Sequence, residues 1–257
     1  MPRKSLPPPD KMTFLEHLDE LRVRLVRSLL SLVVGFGLCW NFAERLFHFI
    51  TQPLRTAYPH IQFIYTEPTE AFFLYMKVAF FAGIFVAAPY ILYQAWAFVA
   101  PGLYPHERAY AAPFIAFGSL FFVAGAAFGH YILFPMTFRF LGQYGGADMT
   151  FMPKISEYYS FYSWFLLGLG AVFQLPVFIF IMARIGLVSA GFLLRQFKYA
   201  FLAAFVISAV ITPSGDMVTQ TALALPMLGL YLLGILVAWI FGRPRRTEAA
   251  VSAEARS

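Results

Sequence analysis

Six apolar stretches dominate the sequence, at about Leu25–Phe42, Ala71–Val99, Ala109–Phe134, Tyr158–Met182, Tyr199–Ile211 and Met217–Phe241. All but the fifth reach the roughly 17–25 residues of helix that cross a hydrocarbon layer about 30 Å thick. In hydrocarbon a single segment satisfies its own N–H and C=O groups only as a helix. The expected fold is therefore an all-α integral membrane protein with six transmembrane helices. Only 12% of the residues are charged, about half the share in a soluble domain. Pro89, Pro113, Pro176 and Pro226 interrupt four of the stretches, which predicts kinks or helix starts inside the bilayer.

The fifth stretch stands apart. Lys198 bounds it on one side and Thr212-Pro213 on the other, leaving about 13 apolar residues, or roughly 20 Å of helix. That is too short for an undistorted bilayer, so thinned lipid or a water-accessible cavity is expected there. Only a tight turn, Thr212 to Asp216, links it to the sixth stretch.

Basic residues set the orientation. With the N-terminus cytoplasmic, only Arg45, Arg55, Arg139 and Lys154 fall outside, and Lys77 lies within the second stretch. Every other Lys and Arg falls inside, which assigns both ends to the cytoplasm. Residues 13–241 read as one polytopic domain between a flexible tail, 1–12, and a basic tail, 242–257. The early basic residues precede no secretory signal core. Arg243-Pro-Arg-Arg246 reads as a membrane-surface anchor, with no nucleic-acid role. The outer segments Arg45–Glu70 and Pro135–Glu157 are expected to hold short interfacial helices that pack as a cap. Cys39, the single cysteine, sits in an apolar span and reads as packing.

Chemistry is sparse. There is no phosphate-binding Gly-rich loop and no His-Glu-x-x-His motif. The five histidines are scattered without ligand spacing. Asp216 has no second in-span aspartate with which to share a proton, as an intramembrane hydrolase would need. No enzyme activity, cofactor or metal is expected. A secondary transporter would call for matching broken helices in two halves and a midplane charge cluster, and the sequence shows neither. A passive scaffold would leave the carboxylates described next dispensable.

The stretch Met12–Arg24 opens with Thr13 and Glu16 in a capping-box pattern. Phe14, Leu18, Leu21 and Leu25 form an apolar stripe, with charged residues opposite. It reads as an amphipathic helix lying on the membrane surface and running into the first span. Glu16 and Glu20 lie one turn apart, where like charges repel and a cation brings relief. Glu20 can find that cation in Arg24, at the favourable i,i+4 spacing, or in a ligand. Glu107 follows Pro105 in the inner loop, where it can offset a helix dipole. Alternatively, Glu20 and Glu107 together form a receptor for a doubly cationic ligand, since arginine forks bind carboxylates bidentately. Gln174 and Gln220 are polar groups at membrane depth, to be read either as helix–helix hydrogen bonds or as functional groups.

Phe14-Leu-Glu-His-Leu-Asp-Glu-Leu-Arg22, Thr66-Glu-Pro-Thr-Glu-Ala-Phe-Phe73, Pro89-Tyr-Ile-Leu-Tyr-Gln-Ala-Trp-Ala-Phe98, the Pro101–Arg108 loop and the Thr212–Gln220 segment occur in this order. Together they resemble the TatC family, the polytopic receptor subunit of the twin-arginine protein translocase. The resemblance spans about Thr13 to Phe241. It implies a concave, glove-like arrangement of six helices with short fifth and sixth helices, in the bacterial cytoplasmic (inner) membrane. It implies binding of twin-arginine signal peptides of folded cargo by Glu20 and Glu107, with Arg22, Phe98, Leu103 and Arg108 in the same surface. Asp216 and Gln220 match positions linked to translocation and partner contact, and Pro53 an assembly position. Gln174 stands where many members carry Glu, a departure that removes a charge. The implied partners are single-span TatA- and TatB-type proteins, with self-association in the receptor complex and the proton-motive force as driver.

Overall fold

The computed structural model describes residues 14–99, 111–143, 151–212 and 216–242. Its regular elements are helices: α1 (Phe14–Trp40), α2 (Ala43–Ala57), α3 (Glu70–Val99), α4 (Ala111–Phe128), α5 (Phe134–Gly142), α6 (Ile155–Val172), α7 (Leu175–Arg184), α8 (Ala190–Arg195), α9 (Phe197–Ile211) and α10 (Met217–Phe241). Among the described residues five helical stretches are long and apolar enough to cross a membrane, with Phe197–Ile211 as a shorter sixth.

The amphipathic start and the first span form one helix, α1, which runs unbroken for 27 residues, about 40 Å. Its sidedness is the reverse of a soluble amphipathic helix. Leu18, Leu21 and Leu25 of the apolar stripe are exposed. Glu20, Arg24, Ser28, Ser31, Gly35 and Cys39 face inward at three- and four-residue spacing. The inward residues meet Ala79, Gly83, Ala87 and Gln94 of the antiparallel α3, which share one face and are either buried or glycine. A Cβ on Gly35 would stand 2.6 Å from the Gly83 carbonyl oxygen, and one on Gly83 2.7 Å from the Phe36 nitrogen. Two backbones come this close only where neither carries a side chain, the way small residues join helices in lipid.

The third span continues past its expected end. A π-helical turn, Gly129–Leu133, carries α4 directly into α5, so the segment following that span begins only after Gly142. The fourth span breaks where Pro176 predicts: α6 ends at Val172 and α7 starts at Leu175, with Pro176 in its first turn. The sixth helix has 25 residues, about 37 Å, so shortness is confined to α9 with its 15. Helix α8, capped by the Ser189 hydroxyl on Phe192 N–H, is an addition that its six residues made invisible to periodicity.

Three tyrosines of α6 tie α2, α3 and the π-helical turn together. Tyr158 donates to the Ile50 carbonyl (2.7 Å), beside the gap that Pro53 leaves in the α2 ladder. Tyr159 donates to the Lys77 carbonyl (2.6 Å), and Tyr162 is bonded to His130 Nδ1 (2.7 Å). Around them Phe81, Phe134, Phe138 and Phe165 form the aromatic core. The segments after α2 and before α6 meet in a short parallel bridge, Ile64 to Lys154. The Thr13 cap, the tails 1–12 and 243–257 and the turn residues 213–215 lie outside the described residues.

Candidate functional site

The start of α1 and the end of α3 bring polar and aromatic groups together. Arg24 Nε donates to Glu20 Oε1 at 2.9 Å, and its Nη2 contacts the same oxygen as an ion pair. Arg24 Nη1 reaches Gln94 Oε1 on α3 at 3.5 Å. One turn away the His17 ring stacks on Phe98, centroids 4.3 Å apart. The i,i+4 pairing of Glu20 with Arg24 is thus the one formed in the free chain. It leaves a specific opening, because Glu20 Oε2 is enclosed and has no hydrogen-bond partner among the described residues. An enclosed carboxylate oxygen without a donor is costly and favours any cation that can reach it.

Phe98 is brought to α1 one turn from Glu20, through its stack on His17. Arg22 does not join them: it is exposed, about 200° around α1 from Glu20. Leu103, Glu107 and Arg108 lie outside the described residues. Gln94 and His17 were not singled out from sequence, although a glutamine in an apolar stretch is the same signal that marked Gln174.

The remaining candidates sit elsewhere. Gln174 occupies the break between α6 and α7, is buried, and donates to the Gly118 carbonyl of α4 at 2.8 Å. The contact depends on Gly118, where a Cβ would crowd Gln174 Oε1 at 3.3 Å. The helix–helix bond is therefore the reading that the geometry bears out. Asp216 caps α10, its Oδ1 accepting from Thr219 N–H at 2.6 Å. Gln220 Nε2 donates to the Phe205 carbonyl of α9 at 2.9 Å, so the amide expected to await a partner already pins the two helices to each other. Pro53 is buried inside α2.

The family model for Sec-independent protein translocase protein (TatC) matches residues 16–226. A TatC of Koribacter versatilis is 42% identical over 250 residues, covering 95% of this chain and 92% of that protein. A TatC of Aquifex aeolicus is 33% identical over 237 residues, covering 91% and 98%. A crystal structure of the twin-arginine translocase receptor TatC superposes with a TM-score of 0.76 at 33% identity, over 87% of this chain and 98% of that one. The same receptor in DDM gives 0.78. The six-helix arrangement is common to all three structures, and on this match along nearly the whole sequence the chain belongs to the TatC family of Sec-independent protein translocase proteins.

Proposed function

We propose that this chain is the receptor component of a twin-arginine translocase, a multi-pass protein of the bacterial cytoplasmic membrane with both termini inside. Its role is to bind, not to catalyse. The twin arginines of a folded cargo's signal peptide are received at the inner ends of α1 and α3 by Glu20, with Glu107 as the second carboxylate. Arg22, Phe98, Leu103 and Arg108 complete the surface. The observation that carries this reading is the state of Glu20. One oxygen holds an arginine of the same chain while the other is enclosed and unbonded, beside an aromatic wall of Phe98 and His17. Arg24 then acts as an internal stand-in that the peptide arginine displaces or joins.

A twin-arginine peptide carrying a photocrosslinker tests this. It should attach near Glu20 and Glu107, whereas a twin-lysine peptide, lacking the planar fork, should attach weakly. Removing the stand-in with Arg24→Gln should tighten peptide binding about two- to fivefold, since a pair of this kind is worth up to about 1 kcal/mol. Crosslinks confined to the opposite side of the membrane would sink the proposal.

The α9–α10 corner, with Asp216 and Gln220, is the proposed docking region for TatA- and TatB-type single-span helices, with Gln174 and Pro53 supporting assembly and self-association. Transport then draws on the proton-motive force. Gln220→Leu removes the bond to Phe205 (about 0.5–1.5 kcal/mol). Cargo export should fall while peptide affinity at Glu20 stays unchanged. Paired export and binding assays check it, and equal loss of both would show that the two sites are not separate.

A further inference from the structure

Gln94 is a neutral amide beside the one ion pair of the receptor surface. It lies on the face of α3 that meets α1, is 3% exposed, and its Oε1 stands 3.5 Å from Arg24 Nη1. Among the described residues that contact is the one bond of this oxygen. At the long end of hydrogen-bond range it is weak as it stands. An acceptor shut away from water in an apolar helix is satisfied only by something closer.

Arg24 uses its guanidinium unevenly. Nε donates to Glu20 Oε1 at 2.9 Å and Nη2 contacts the same oxygen, so two nitrogens share one acceptor. Nη1 is turned to Gln94 instead. The Arg24 side chain is 20% exposed and that of Glu20 15%. A guanidinium this enclosed is strongly destabilised when its carboxylate is taken by another cation, unless a second acceptor is within reach.

We propose that Gln94 is a positioning residue for the receptor surface: when an arginine of the signal peptide takes Glu20, Arg24 turns to Gln94 and is held there. This rests on the receptor reading of Glu20. Turning the end of the Arg24 side chain is enough to shorten a 3.5 Å contact, so neither helix has to move. The neutrality of the acceptor matters. An amide oxygen holds a guanidinium less strongly than a carboxylate does, so Arg24 stays on Glu20 in the free chain and returns to it when the peptide leaves. A carboxylate at position 94 would keep Arg24 in both states. The surface thus exchanges one arginine for another without leaving either charge unpaired.

Affinity for a twin-arginine peptide is measured by isothermal titration on the purified full-length chain in detergent. Gln94→Met keeps the length of the side chain and removes the acceptor. It should weaken binding about three- to tenfold while Arg24 is present. In the Arg24→Gln background, where no arginine needs holding, it should change nothing. Gln94→Glu, which keeps an acceptor at the same reach, should bind at least as tightly as the parent. A purely structural role would act alike in both backgrounds. Where affinity depends on Glu20, equal loss in both backgrounds, or loss in neither, overturns the proposal. Should Gln94→Met fail to fold, Gln94→Asn, one methylene too short to hold Arg24, is expected to give the same pattern, and the same two outcomes overturn it.

A second arm needs no peptide and separates this inference from the receptor reading. Glu20→Gln withdraws the carboxylate from Arg24, as an incoming arginine would, and Arg24 then rests on Gln94. Adding Gln94→Met should lower the melting temperature by about 2–4 °C in that background and leave it unchanged where Glu20 is intact. No additional fall overturns the proposal. An additional fall, together with peptide affinity indifferent to Glu20→Gln, leaves the arginine transfer standing and refutes the receptor reading.

Discussion

Gly83→Leu is expected to abolish the folded receptor, whereas Gly37→Leu, two residues from Gly35, leaves it intact. At Gly83 even a Cβ would stand 2.7 Å from the Phe36 nitrogen and 2.9 Å from the Gly35 carbonyl carbon. Both are backbone atoms that cannot rotate away, so α1 and α3 must part along their whole shared face. Overpacking a close contact costs about 1–3 kcal/mol, occasionally more. Here it also removes the small-residue packing of Ala79, Ala87 and Cys39, and in lipid no hydrophobic drive restores that. At Gly37 a Cβ would meet nothing within 4 Å, and leucine there gains helix propensity of up to about 1 kcal/mol. Thermal melting and gel filtration in detergent distinguish the two variants. Equal behaviour would mean that the glycine contact does not hold α1 in place. Because Glu20, Arg24 and Gln94 sit on the same pair of helices, signal-peptide binding should vanish with the fold in Gly83→Leu.

The second large effect is expected from Glu20→Gln. It keeps the side chain's size, removes the charge, and leaves Arg24 its contact with Gln94. Losing one charge-assisted hydrogen bond to an incoming arginine costs about 1.5–3 kcal/mol, or roughly ten- to hundredfold in affinity. Folding stability should not fall. The Glu20–Arg24 pair is worth at most about 1 kcal/mol, and the change takes the charge off the enclosed side of the group. The salt dependence of binding should flatten in the variant, since a charge pair is lost. Isothermal titration with a twin-arginine peptide at two ionic strengths checks both statements. Unchanged affinity would place the arginines elsewhere.

Much of the architecture was legible because hydrocarbon imposes a rule on the backbone that a sequence can be read against. A segment of sufficient apolar length must be a helix, so the spans, the short Phe197–Ile211 and the break at Pro176 follow from composition and proline position. The resemblance of the Phe14–Arg22 and Pro89–Phe98 segments marked the region where α1 and α3 meet through the His17–Phe98 stack and the Arg24–Gln94 contact.

What only the tertiary structure decided is which way each helix faces. In water an apolar stripe points to the core, and that rule makes Leu18, Leu21 and Leu25 the buried side of α1. In a bilayer the solvent is as apolar as the core, so the stripe has no preferred side. The face that turned inward carries Glu20, Arg24, Ser31 and Gly35, because close backbone approach and hydrogen bonding reward small and polar residues where hydrophobic burial offers nothing. The same loss of contrast hid the bonds of Gln174 to Gly118 and Gln220 to Phe205, whose partners are backbone carbonyls. Every residue has such a carbonyl, and only the packing of the helices determines which one lies within reach.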